Sequence, residues 1–120
     1  GAGASNTTII VAAQAGDNPN GMFAAKLAAD FTVQEDGVTS CTGDAGEICY
    51  GDWYLPSKYE LILFLQQKSV LDGFIASMYW SSTDRGFDDG TSAWSVFSSD
   101  STPASMFKGN TFAVRAIRAF

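Results

Sequence analysis

The sequence predicts an α+β domain with short helices, a mainly antiparallel sheet and one disulfide. Three observations support this. The 120-residue chain is 46% hydrophobic and 17% charged, enough for one core and too little charge for a disordered chain. The order is segregated, with helical signals in the first half and short β-branched or aromatic runs in the second. The two cysteines enclose a polar, turn-rich loop.

Taking the chain in order, Gly1-Ala2-Gly3-Ala4-Ser5 reads as the end of a linker, so residues 1–5 are set aside and residues 6–120 are expected to be a single domain. Thr7–Ala13 is β-branched and apolar and ends at the turn-forming run 16–21, which predicts a strand. Met22–Asp30 brings Met22, Phe23, Leu27 and Ala28 together at helical spacing. From Phe31 to Tyr50 the composition predicts irregular structure. Pro56-Ser57 opens a second helix over Lys58–Lys68, with Ser57 as cap and Glu60 completing a capping box. Tyr59 and Leu61–Leu65 cover most of that helix's circumference, which predicts a sandwiched helix or one meeting another subunit. Met78–Thr83, Ser92–Ser98 and Thr111–Ala119 then read as antiparallel strands.

Several function classes are excluded or disfavoured. Net charge is −6, which opposes nonspecific binding to nucleic acid or anionic membranes. No stretch approaches a membrane span. Without histidine and with only Cys41 and Cys49, the usual zinc sets are missing, and a disulfide is preferred over a reduced pair. Histidine-based triads are impossible, phosphate-loop patterns are absent, and no cofactor is implied. Adjacent acids such as Asp88 and Asp89 are weak material for a glycosidase. The expectation is a non-enzymatic binding domain.

Three segments carry a family resemblance: Asp52-Trp53-Tyr54-Leu55-Pro56-Ser57-Lys58-Tyr59-Glu60-Leu61, Tyr79-Trp80-Ser81-Ser82-Thr83 and Ala113-Val114-Arg115-Ala116-Ile117-Arg118. In order and spacing they resemble a bacterial family marked by D-W-x-L-P-[ST]-x-x-E-L, Y-W-S-S-T and V-R-x-[VI]-R, whose fold is related to C-type lectins and the formylglycine-generating-enzyme core. The glycine-rich start, acidic disulfide loop and carboxyl-terminal ending are similar to the terminal domains of bacterial collagen-like adhesins. That resemblance implies an extracellular or cell-surface location, a homotrimer on a collagen-like stem, and binding of sulfated glycosaminoglycan or another sulfated polysaccharide in attachment and biofilm formation. The negative net charge then demands a segregated basic patch.

The candidate ligand-binding residues are Lys58, Lys68, Arg85, Lys108 and Arg118. Lys58 and Lys68 lie about 15 Å apart along a helix and could bracket successive sulfates; alternatively Lys68 complements the helix carboxyl end and Lys58 is merely solvated. In a strand, Arg115 and Arg118 point to opposite faces, giving Arg115 a buried structural role and Arg118 an outward one. Asp84, Asp88, Asp89 and Asp100 occupy loops where C-type lectins hold calcium, but solvated turn acids explain them better and no metal is assigned. Trp53 and Trp80 are expected in the core, with Trp94 open. A trimerising cap, or a module for a protein receptor, is the alternative function.

Overall fold

The computed structural model describes residues 2–17, 23–67, 75–85 and 91–119. Among them the fold is α+β, with helices α1 (Gly3–Asp17), α2 (Ala24–Asp30) and α3 (Lys58–Gln66) and strands β1 (Val33–Gln34), β2 (Cys49–Tyr50), β3 (Met78–Asp84), β4 (Ser92–Phe97) and β5 (Thr102–Phe107). The strands form a small antiparallel pair, β1–β2, and an antiparallel sheet ordered β3–β4–β5.

The first correction concerns the amino-terminal segment. Residues 7–13 are helical, and Gly3–Ser5, assigned above to a linker, form the first turn of α1. Gly3, Asn6, Thr7, Ile10, Val11 and Gln14 face inward or are half-buried, whereas Ala4, Ser5, Thr8, Ile9, Ala12 and Ala13 are exposed. That is the three-and-four spacing of a helix face, and tertiary burial of the face overrides β-branched propensity. The threonines fit because Thr7 Oγ1 donates to the Gly3 carbonyl at 2.8 Å and Thr8 Oγ1 to that of Ala4 at 3.1 Å.

Helix α3 starts as expected. Ser57 accepts from the Glu60 N–H at 3.3 Å, and Glu60 accepts from the Ser57 N–H at 2.8 Å, closing the capping box. Its described span ends at Gln66, and Lys68 lies outside the described residues. The helix is not sandwiched: Leu61 and Leu65 are buried, while Tyr59 and Leu63 are 75% and 63% exposed.

The sheet is covered on both faces. Tyr79 and Val96 are cross-strand partners and pack on Leu61 and Leu65 of α3. Alternation turns Trp80 to the other side, towards α1 and α2. There Ala25, Ala28 and Leu55 form a second cluster with Ile10, Val11 and Phe23. Trp80 therefore lies in the core as expected. Trp53 does not: it is half-buried, donates its indole N–H to the Tyr50 carbonyl at 3.0 Å and meets Phe31 edge-on at 5.2 Å.

Two differences concern the carboxyl half. Strand β5, passed over in the sequence, contains Pro103, which an edge strand tolerates because its missing N–H breaks no shared ladder. Conversely, Thr111–Ala119 is no strand. It touches the fold at two isolated bridges, Ala113 with Tyr79 and Ile117 with Tyr54. This strap covers the outer edge of β3, with Ala113 accepting from the Trp80 N–H and donating to the Met78 carbonyl, both at 3.0 Å.

The disulfide joins Cys41 to Cys49. Inside the loop, Glu47 accepts from the Thr42 hydroxyl at 2.7 Å, the Thr42 N–H, the Gly43 N–H and Gln34 Nε2. The Thr42 hydroxyl first, then the Thr42 and Gly43 N–H groups, hold its carboxyl below the usual range. Gly43 and Gly46 take φ of 86° and 87°, which side chains disfavour. Asp36 closes the neighbouring turn by accepting from Thr39 and Val38, and its carboxyl is likewise lowered.

Two predictions follow from α1 docking. Thr7 is 3% exposed, and besides binding Gly3 its hydroxyl accepts the Leu55 N–H at 2.9 Å. Thr7→Val strands that buried N–H and should cost about 1–3 kcal/mol in urea unfolding, with Thr7→Ser retaining most of the stability. Burial pushes the Glu60 carboxyl up, but N–H donors from Ser57 and Gly3 outweigh this and hold it below its ordinary 4.5. A lowered folded-state pKa stabilises the fold above the unfolded value, and that gain is lost as pH falls through the folded value. Glu60→Gln should therefore be less stable than wild type at pH 7, with the gap closing below about pH 4 in a pH series of urea titrations.

Candidate functional site: a basic and aromatic end of the sheet

Strand β3 ends, β4 begins and β5 ends at the same margin of the sheet, because the strands are antiparallel and paired through Asp84–Ala93 and Ser92–Phe107. Helix α3 starts there too: the Lys58 N–H donates to Thr83 Oγ1 at 2.9 Å. Three of the five candidate basic residues, Lys58, Arg85 and Lys108, are thereby gathered at one end, although they lie up to fifty residues apart in the sequence.

Each is placed by its neighbours. The Lys58 ammonium sits 4.2 Å from the centroid of the Trp94 ring and 5.7 Å from that of Tyr59. The negative ring faces attract the cation, so Lys58 is neither merely solvated nor a free charge. Trp94 is half-buried on the α3 face of the sheet, and its carbonyl accepts from Ser81 Oγ at 2.6 Å. Lys108 reaches across the opposite face to Asp84, 3.5 Å away, in a partly exposed ion pair. Arg85, which follows Asp84 in the chain, is exposed. The Lys108 N–H donates to the Thr91 carbonyl at 2.8 Å, which fixes the backbone from which that side chain leaves.

The other two candidates do not join this group. Lys68 lies outside the described residues. Arg118 sits apart, with its guanidinium 5.1 Å from the Tyr50 centroid and its Nε buried without a hydrogen-bond partner. Because its segment is a strap rather than a strand, the opposite-face argument for Arg115 and Arg118 no longer applies; both are half-buried.

The loop acids divide similarly. Asp84 is committed to Lys108, Asp100 accepts from the Thr102 N–H at 3.0 Å in the β4–β5 turn, and Asp88 and Asp89 lie outside the described residues. Among the described residues, Cys41, Glu47 and Cys49 are near enough to suggest a metal site, but both sulfurs are in the disulfide. Ser105-Met106-Phe107-Lys108 has the S-x-x-K spacing of lysine-assisted serine chemistry, contrary to the expectation that the sequence lacks that pattern. Lys108 lies in the turn just past β5 and engages Asp84.

Sequence reasoning missed the aromatic partners of Lys58. Tyr59 was read only as part of an apolar helix surface, and Trp94 carried no assignment. No local signal links Lys58 to Trp94, 36 positions away; the contact depends on how α3 crosses the sheet. No family model matches the chain, and no curated protein matches it closely enough to stand as a relative.

The Lys58–Trp94 contact should be measurable as a coupling. A double-mutant cycle of Lys58→Met and Trp94→Leu is expected to give about 0.5–1 kcal/mol in urea unfolding, the range for partly exposed cation–aromatic pairs.

Proposed function

We propose that this chain is an extracellular, C-type-lectin-like adhesin domain that engages sulfated polysaccharide, in a trimer, at the sheet end carrying Lys58, Arg85 and Lys108. The observation that carries the reading is the Lys58 ammonium resting over the half-buried Trp94 ring and beside the exposed Tyr59 ring, at the same end of the sheet as Arg85 and Lys108. Flat aromatic faces suit sugar rings, and ammonium and guanidinium groups suit sulfates, to which charge-assisted hydrogen bonds are the stronger kind. The resemblance to the terminal domains of collagen-like adhesins supports the same class. The disulfide fits an oxidising, extracellular setting, and among the described residues no helix is long and apolar enough to cross a membrane.

A second reading, a trimerising cap, draws on the outward side of α1. Ile9 is 67% exposed there beside Ala12, Ala13 and Thr8, a surface another subunit could cover.

The test is a calorimetric titration with heparin at low and physiological salt. Binding should be saturable and weaken with salt. Ala at Lys58, Arg85 or Lys108 should each weaken it, and Asp84→Asn should tighten it about twofold or more by freeing Lys108 from its counter-charge. Absence of heat at low salt, with wild-type behaviour in all three Ala variants, would move the assignment to the cap, which Ile9→Asp would dissociate in light scattering.

A further inference from the structure

A cleft of about 410 Å³ opens on the face of the sheet opposite α3, between α1, the start of α2, the end of β3 and residues 108–114. Ile10, Phe23, Trp80, Phe112 and Val114 supply apolar walls. The Trp80 and Phe112 rings lie 4.8 Å apart, inclined by 43°, and make a corner against which a flat ring can pack. A mostly apolar concavity of this size with a few polar groups is the usual form of a small-ligand site.

Gln14 also lines the cleft, and its Oε1 is buried with no hydrogen-bond partner. Neighbouring polar side chains are already engaged: Ser82 Oγ accepts from Asn6 Nδ2 at 3.4 Å, Thr83 Oγ1 from the Lys58 N–H, and Ser81 Oγ donates to the Trp94 carbonyl. A buried acceptor without a donor is costly and uncommon. The terminal amide torsion of glutamine is soft, so a small rotation presents that oxygen to the cleft. The complementary ligand is a flat apolar ring bearing one donor.

We infer that the cleft binds a hydroxyl-bearing aromatic ring, packed against Trp80 and Phe112, with its O–H donated to Gln14 Oε1. The same chemistry is offered by a free phenol and by a tyrosine side chain. The inference does not rest on the polysaccharide reading: Lys108 and its partner Asp84 line the rim of the cleft, but Gln14, Trp80 and Phe112, which carry the inference, are not among the residues assigned to polysaccharide.

The test is a nuclear magnetic resonance titration of the intact chain with p-cresol and with toluene, which has the same ring and methyl group but no donor. p-Cresol should shift the amide signals of Trp80, Phe112 and Val114 saturably and bind about 2- to 10-fold tighter than toluene. Gln14→Leu should abolish that preference while leaving heparin titration unchanged. Once p-cresol binding is seen, competition by N-acetyltyrosinamide assigns the site to a tyrosine side chain, and its absence assigns the site to a free phenol; both support the inference. No saturable shift with p-cresol, or equal affinities for the two probes in wild type, overturns it.

Discussion

The backbone from Tyr54 to Lys58 is the joint on which the structure depends. Leu55 is bound by Thr7 of α1; Pro56 accepts the Ser82 N–H of β3 at 2.8 Å; Ser57 caps α3; Lys58 donates to Thr83; and Tyr54 exchanges both backbone hydrogen bonds with Ile117 of the strap. Helices α1 and α3, strand β3 and the strap thus satisfy polar groups on five consecutive residues. Buried backbone groups must be paired, so this irregular segment holds the layers in register more tightly than its lack of regular structure suggests.

The joint also explains why Gly3 must be small. A side-chain carbon there would lie 2.9 Å from both the Leu55 carbonyl oxygen and the Ser57 nitrogen, closer than such atoms approach. Helix α1 therefore lies directly on the joint at its first turn. From there its inward face runs along the sheet as far as Gln14, forming one wall of the cleft, while α3 leaves the same joint on the other face and carries Lys58 over Trp94. The two candidate surfaces are opposite consequences of one junction.

What the sequence made legible was local chemistry. The capping box at Ser57 and Glu60, the helix before Asp30, the disulfide and strands β3 and β4 each rest on residues close in the chain. The errors arose where distant packing outweighs local preference. Thr7–Val11 is β-branched, yet its helical face finds Leu55 and the sheet. Thr102–Phe107 went unassigned, and it carries Pro103, which only its edge position in the sheet makes compatible with a strand. Thr111–Ala119 has strand-like composition, yet pairs only at single bridges because β3 lends it an edge and Tyr54 lends it another. Of the candidate site, the identities of Lys58, Arg85 and Lys108 were legible, but not their convergence or the rings that hold them.

That convergence bears on how an acidic domain could take a polyanion. With seven basic residues against thirteen acids, long-range attraction is unfavourable, so the contribution must be short-range. Here the sheet end separates the cations by mechanism. Lys58 rests on neutral rings, and an aromatic face attracts a cation without supplying a counter-charge. Lys108 is offset by Asp84, and Lys26, on α2, by Asp30 four residues on. Under the proposed function, a sulfate approaching Lys58 would displace no carboxylate among the described residues, whereas one approaching Lys108 would compete with Asp84. At the proposed site, affinity for sulfate would be set less by the number of basic residues than by which of them are held by rings instead of by acids.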